Sequence, residues 1–216
     1  MNPWLQIPAS DYEAHMGLPE VDQSAFLADV FITSLADYDS RSLLYIGCAT
    51  GNGLAHIRND KTQMLTAVDI NPEYLEILRE RYRHSIPCLQ TVQADLNDYQ
   101  GDGQRYTLIF AGLVFEYLAP RPLLEKISMW LEKAGVMVVV LQLQHRNKQK
   151  VSNTPFTSLK LLDPIMNLVS DWDFNAMAVE NGLRELTGKQ VTLMSGKQFY
   201  VGTYAKSSAP IDQTSR

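Results

Sequence analysis

An apolar run that empties into glycine constrains this chain more than any other feature. Leu43, Leu44, Tyr45 and Ile46 follow one another without polar alternation and lead into the loop GCATGNG at residues 47–53. A run of this kind reads as a strand buried on both faces, as in a parallel sheet. Gly47, Gly51 and Gly53 allow a sharp turn and a close approach by a ligand, because no Cβ stands in the way. A second apolar run, Met64 to Val68, ends in Asp69. Together they read as the first βαβ unit of a doubly wound sheet, with an acid placed to accept hydrogen bonds from ribose hydroxyls.

The remaining segments extend this pattern. Strand three is expected at 88–92, before Ala94, Asp95 and Leu96, and strand four at 106–111, before Glu116 and Tyr117. Strand five is expected at 136–143, rich in β-branched residues. Phe26, Leu27, Val30, Phe31 and Leu35 recur at helical steps and predict a helix over 21–38. A short helix is expected at 53–59, with free N–H groups at its start. Another begins at Asn71-Pro72, where proline suits the first turn. Leu123, Leu124, Ile127, Trp130 and Leu131 predict a further amphipathic helix, ended by Gly135. A last helix is expected at 175–186, followed by a hairpin of 190–193 and 198–204 turning through Ser195-Gly196.

These motifs resemble the class I S-adenosylmethionine (SAM)-dependent methyltransferases, over roughly residues 40–145 by motif and more loosely beyond. The resemblance implies an α/β fold: a doubly wound, Rossmann-like sheet of seven strands, mostly parallel with a C-terminal antiparallel hairpin. It implies SAM as cofactor and methyl transfer as the reaction. It places Gly47, Cys48, Ala49 and Gly51, with Gly53, under the methionine and ribose parts of SAM. Asp69 then takes the ribose hydroxyls, Ile70 packs on an adenine face, and Asp95 and Leu96 lie by the adenine. The start of the 53–59 helix would meet the methionine carboxylate, since SAM carries no phosphate. As alternatives, Ile70 reads as a buried sheet-end residue and Asp95 as a turn cap.

Two positions depart from the family pattern. Tyr45 stands where the family often has an acid that meets the SAM amino group. A backbone carbonyl or Glu116 is the expected replacement. Ala49 replaces the usual second glycine, a mild change where φ is negative.

Composition narrows the partners. The 216 residues suit one domain, and a net charge of −5 argues against nucleic acid or an anionic membrane as partner. Hydrophobic residues at 45% and charged ones at 20% fit a soluble globular protein. Cys48 and Cys88 are the only cysteines, and Cys48 lies in the glycine loop, so a reducing compartment is expected over a structural disulfide. No stretch reaches the roughly 20 apolar residues of a membrane helix, and no basic leader precedes an apolar core. The expected location is the cytoplasm. No metal site is read from the four histidines.

The two segments outside the core pattern carry the substrate expectations. Residues 1–20 read as a loose leader or as a lid, with Tyr12 and His15 as its ligand-facing residues. Residues 145–179 read as a cap. The run His145, Arg146, Lys148 and Lys150 is either a solvated face or a greeting for an acidic small molecule. Open α/β sheets bind ligands outside the carboxyl ends of their strands, where this run falls. Glu116 is the first candidate for a base or substrate orienter, followed by Tyr117 and His15; alternatively Glu116 is a turn acid. One rival reading is a SAM-fold protein that binds without turnover. The other is a nicotinamide-dependent dehydrogenase, which would need a catalytic domain beyond strand five.

Overall fold

The computed structural model describes residues 2–145 and 149–207. Among these residues seven strands form one sheet. They are β1 (Ser42–Ile46), β2 (Met64–Asp69), β3 (Leu89–Gln93), β4 (Tyr106–Gly112), β5 (Leu131–Gln142), β6 (Leu183–Thr192) and β7 (Gln198–Lys206). Their order is β3-β2-β1-β4-β5-β7-β6. The first five run parallel, and β7 is antiparallel to both β5 and β6. The expected doubly wound sheet with a terminal hairpin is therefore present. β1 lies between β2 and β4, with Ile46 beside Val68 and Ala111. The winding reverses there, which leaves a crevice at the carboxyl ends of these strands.

The strands lack polar alternation because both faces are covered. Leu44 and Ile46 face α4 (Pro120–Trp130) and α5 (Asp171–Glu180), packing with Leu124, Ile127 and Phe174. Leu43 and Tyr45 face α2 (Gln23–Asp37) and α3 (Pro72–Tyr82), packing with Phe31, Leu75 and Leu78. Every residue of β1 is buried. α3 starts as the sequence predicts: the Asn71 side chain accepts from the Glu73 and Tyr74 N–H groups, and Pro72 follows. Such a cap contributes about 1 kcal/mol.

Four expectations change. The predicted 53–59 helix is only a 3-10 turn at Leu54–His56, and Ile57 is already extended. A single turn has no useful dipole, so no helix N-terminus faces the crevice from this loop. The last helix starts earlier, at Asp171, where Ser170 accepts from the Asp173 N–H, and it ends at Glu180. Gly182 takes a φ of 74°, and β6 begins at once, so 183–186 is strand rather than helix. Asn181-Gly182 was the stop signal that the apolar pattern obscured.

Gly135 does not end a helix. α4 stops at Trp130, and β5 runs on from Leu131 with a shift of register between the Tyr106 and Leu108 pairings. A Cβ on Gly135 would lie 2.6 Å from the Tyr106 carbonyl oxygen, so glycine serves close approach there. Ala49 adopts a φ of 45°, not the negative angle expected of it. A left-handed alanine costs roughly 1–2 kcal/mol, which the surrounding loop must hold in place.

The segment before α2 is structured. A 3-10 turn at Pro3–Gln6 precedes α1 (Ala9–Gly17). After β5 the chain forms a 3-10 turn at Thr157–Leu162 before α5. Arg146 and Lys148 lie outside the described residues. No helix among the described residues is long and apolar enough to cross a membrane. No group of acids, histidines and cysteines among them could hold a metal ion.

Candidate active site

The crevice at the carboxyl ends of the strands is a cleft of about 1110 Å³, counting its open mouth. Gly47, Ala49, Asp69, Ile70, Asp95 and Leu96 line one part of it. Tyr12, His15 and Tyr117 line it as well. The sequence therefore named nine wall residues that the fold brings together. Cys48, Gly51 and Glu116 are not on the wall. Cys48 is buried with its thiol on the Ala49 carbonyl, and Gly51 packs under Leu54 and Tyr82.

The loop geometry follows from one carboxylate. Asp69 Oδ2 accepts from the Ala49 N–H at 2.8 Å, and Oδ1 from the Asn71 N–H at 2.9 Å. The first bond holds Ala49 in its left-handed conformation. Burial pushes the Asp69 carboxyl up to about 6, against the pull of those N–H donors. Gly47 is required at its position: φ is 61°, and a Cβ would sit 2.3 Å from Val114 Cγ2. Tyr45 points away from the cleft. Its ring stacks on Phe31 at 5.2 Å, and its hydroxyl donates to the Asn52 carbonyl. It braces the loop from beneath and offers nothing to a ligand.

The N-terminal segment crosses the cleft. Trp4 meets Tyr117 edge to face at 5.0 Å, and Tyr12 lies against Tyr74 at 5.4 Å. The Asn71 amide donates to the Trp4 carbonyl, and the Tyr74 hydroxyl to the Ile7 carbonyl. Glu13 accepts from Thr50 and pairs with Arg81. On the other side, Ser158 donates to Asp11, and His15 Nδ1 bonds Thr154 Oγ1 at 2.9 Å. The segment is thus tied both to the sheet and to the 3-10 turn after β5.

The far part of the cleft is apolar at Leu159, Leu162 and Met166, with Lys150, Lys197 and Gln142 beside them. Sequence reading missed Lys197, Gln142 and Trp4, because burial in a hairpin turn, a strand end and a leader leaves no pattern in the sequence. Glu116 lies behind the wall. One oxygen accepts from the Gln142 N–H at 2.6 Å, and the other has no partner among the described residues. Burial lifts its carboxyl to about 7. Burial and the nearby Lys197 ammonium lower His15 to about 4, so its ring is neutral at pH 7. Burial raises Tyr117 and Tyr12, which stay as phenols.

Residues 43–135 match the family model described as a methyltransferase domain. By this match the stretch from β1 into β5 is a methyltransferase domain. The match spans the glycine loop, Asp69, Asp95 and the residues after β4. Solved structures agree with this methyltransferase in fold. The N-methyltransferase NodS from Bradyrhizobium japonicum, in complex with S-adenosyl-L-homocysteine (SAH), superposes with a TM-score of 0.68 at 13% identity. That alignment covers 91% of this chain and 96% of NodS. The CcbJ methyltransferase from Streptomyces caelestis gives 0.65 at 15% identity, over 84% of this chain and 89% of its own. The [4+2]-cyclase SpnF gives 0.67 at 12% identity, over 85% of this chain and 82% of its own. At such identities the likeness concerns the fold, and one fold hosts several chemistries. No protein of curated function matches the sequence.

The methyltransferase's cofactor is SAM, and the cleft suits it. Asp69 and Asp95 line it, and an ionised carboxylate only accepts hydrogen bonds, as hydroxyl and amino donors require. Ile70 and Leu96 add apolar surface beside them.

Proposed function

We propose that this methyltransferase acts on a small, partly apolar molecule held in the far part of the cleft. The observation that carries the reading is the continuity of one cleft from Asp69 and Asp95 to Leu159, Leu162 and Met166. Asp69 and Asp95 hold the cofactor's ribose and adenine ends, with Ile70 and Leu96 against the ring. Gly47 and Ala49 give it a backbone floor. SAM supplies an activated methyl group on a positive sulfonium. The chain's task is to orient the acceptor and exclude water, worth about 7–11 kcal/mol at best.

Tyr117 and His15 meet the acceptor. Neither is a strong base: His15 is neutral with a value of about 4, and Tyr117 holds its proton firmly. They orient by hydrogen bonding, and the acceptor's nucleophilic atom arrives without a proton that must be removed. Glu116 acts one step back, by fixing the Gln142 backbone. The whole chain works as one domain in the cytoplasm, where its two free cysteines stay reduced. Methyl-labelled SAM incubated with a panel of small amphipathic acceptors tests the reading. One labelled product and one SAH per turnover are expected. SAH binding without transfer to any acceptor would point to a binding protein instead.

Residues 2–17 serve as the lid. Trp4, Tyr12, His15 and Met16 line the cleft from this segment, and its ties run to both sides of the cleft. SAH is expected to slow amide hydrogen exchange in this segment together with the glycine loop. Protection of the loop alone would rule the lid out.

A further inference from the structure

The cleft is electrically lopsided. The acids on its wall, among the described residues, are Asp69 and Asp95, both at the cofactor end. Lys150 and Lys197 line the opposite part. The Lys150 backbone carbonyl ties the Lys197 and Gln142 side chains to the segment that carries the Lys150 side chain. Lys197 Nζ donates to the Lys150 carbonyl at 2.7 Å, and the Gln142 amide donates to the same oxygen at 2.9 Å. Gln142 Oε1 accepts from Lys197 Nζ in turn. Lys150 Nζ reaches the Met166 carbonyl at 2.6 Å, beside the apolar wall. An ammonium has three donors, so Lys150 keeps two for a ligand after that bond. Lys197 is only 5% exposed, held in place by its bonds to Gln142 and the Lys150 carbonyl, so its charge is a fixed feature of this end of the cleft.

We propose that Lys150 and Lys197 anchor a carboxylate on the methyl acceptor, whose apolar body lies against Leu159, Leu162 and Met166. The proposal rests on the methyl-transfer reading and names its substrate class. A carboxylate fits better than a phosphate. No arginine fork lines this end among the described residues. The anchored carboxylate is not the methyl acceptor, since two ammonium groups withdraw electron density from it. A different atom of the substrate is methylated.

Calorimetry on the full chain with saturating SAH tests this. The probes are octanoate and 3-phenylpropionate, each against its neutral amide, with phenyl phosphate alongside. Both acids are expected to bind at least about tenfold tighter than their amides. Lys150→Met should remove that preference and leave the amides and SAH within about twofold, while Lys150→Arg keeps it. Lys150 is only half-buried, so the variants should fold, and their thermal midpoints check this. Equal binding of acid and amide, or an acid preference that survives Lys150→Met, overturns the proposal. So does a clear preference for phenyl phosphate. If the parent fails to bind SAH, the cofactor reading falls as well, which separates the two failures.

Discussion

Replacing Glu116 with glutamine is expected to remove about 2–3 kcal/mol of pH dependence from the protein's stability between pH 5 and 8.5. Burial holds the folded carboxyl at about 7, against 4.5 for the free group. Between those values the folded state binds more protons than the unfolded one. Stability therefore falls as pH rises from about 4.5 to about 7, and levels off above it. Glutamine keeps an oxygen for the Gln142 N–H but cannot ionise. Urea unfolding of parent and variant across that range measures the difference. A parent and variant that track each other would mean that Glu116 titrates as an ordinary surface acid. The same variant reports on catalysis. A positioning role leaves kcat close to the parent's, whereas a base would lose orders of magnitude with the fold intact.

Asp69→Ala is expected to weaken SAH binding by about 1–3 kcal/mol, because two ribose hydroxyls lose their acceptor. The variant also frees the Ala49 N–H, which now anchors the left-handed loop residue. A pH signature accompanies the effect. The free protein's Asp69 titrates near 6, and hydroxyl donors favour its ionised form. Parent affinity should therefore fall about tenfold between pH 7.5 and 5, as protonation competes with binding. The Asp69→Ala variant should show no such limb. Undiminished SAH binding by a folded variant would remove Asp69 from the site.

The sheet was legible because burial on both faces writes itself into sequence as unbroken apolar runs. β1, β2 and β4 come out within a residue of their observed ends for that reason. One wall of the cleft was legible because Gly47, Asp69 and Asp95 sit at or just past strand ends, where spacing carries geometry. Angles were not legible. Nothing in Ala49 announces a positive φ, which the carboxylate of Asp69 imposes from twenty residues away. The acceptor end was the least legible. Lys150 was visible as part of a charge run, but Lys197 looks like any turn lysine until the fold buries it. Glu116 read as a site acid because it follows β4, yet its side chain turns behind the wall.

The N-terminal segment carries a consequence for the order of assembly. It leaves the ribosome well before its partners Asn71 and Tyr74. Thr154 and Ser158 lie 139 and 147 residues downstream of His15 and Asp11. Closing loops of that span is entropically slow, and it gains nothing until the sheet exists to dock against. The roof of the cleft is therefore set last, over a floor already built. A nascent chain passes through a stage with its strands paired and its cleft uncovered, and a lesion in residues 2–17 would stall it there.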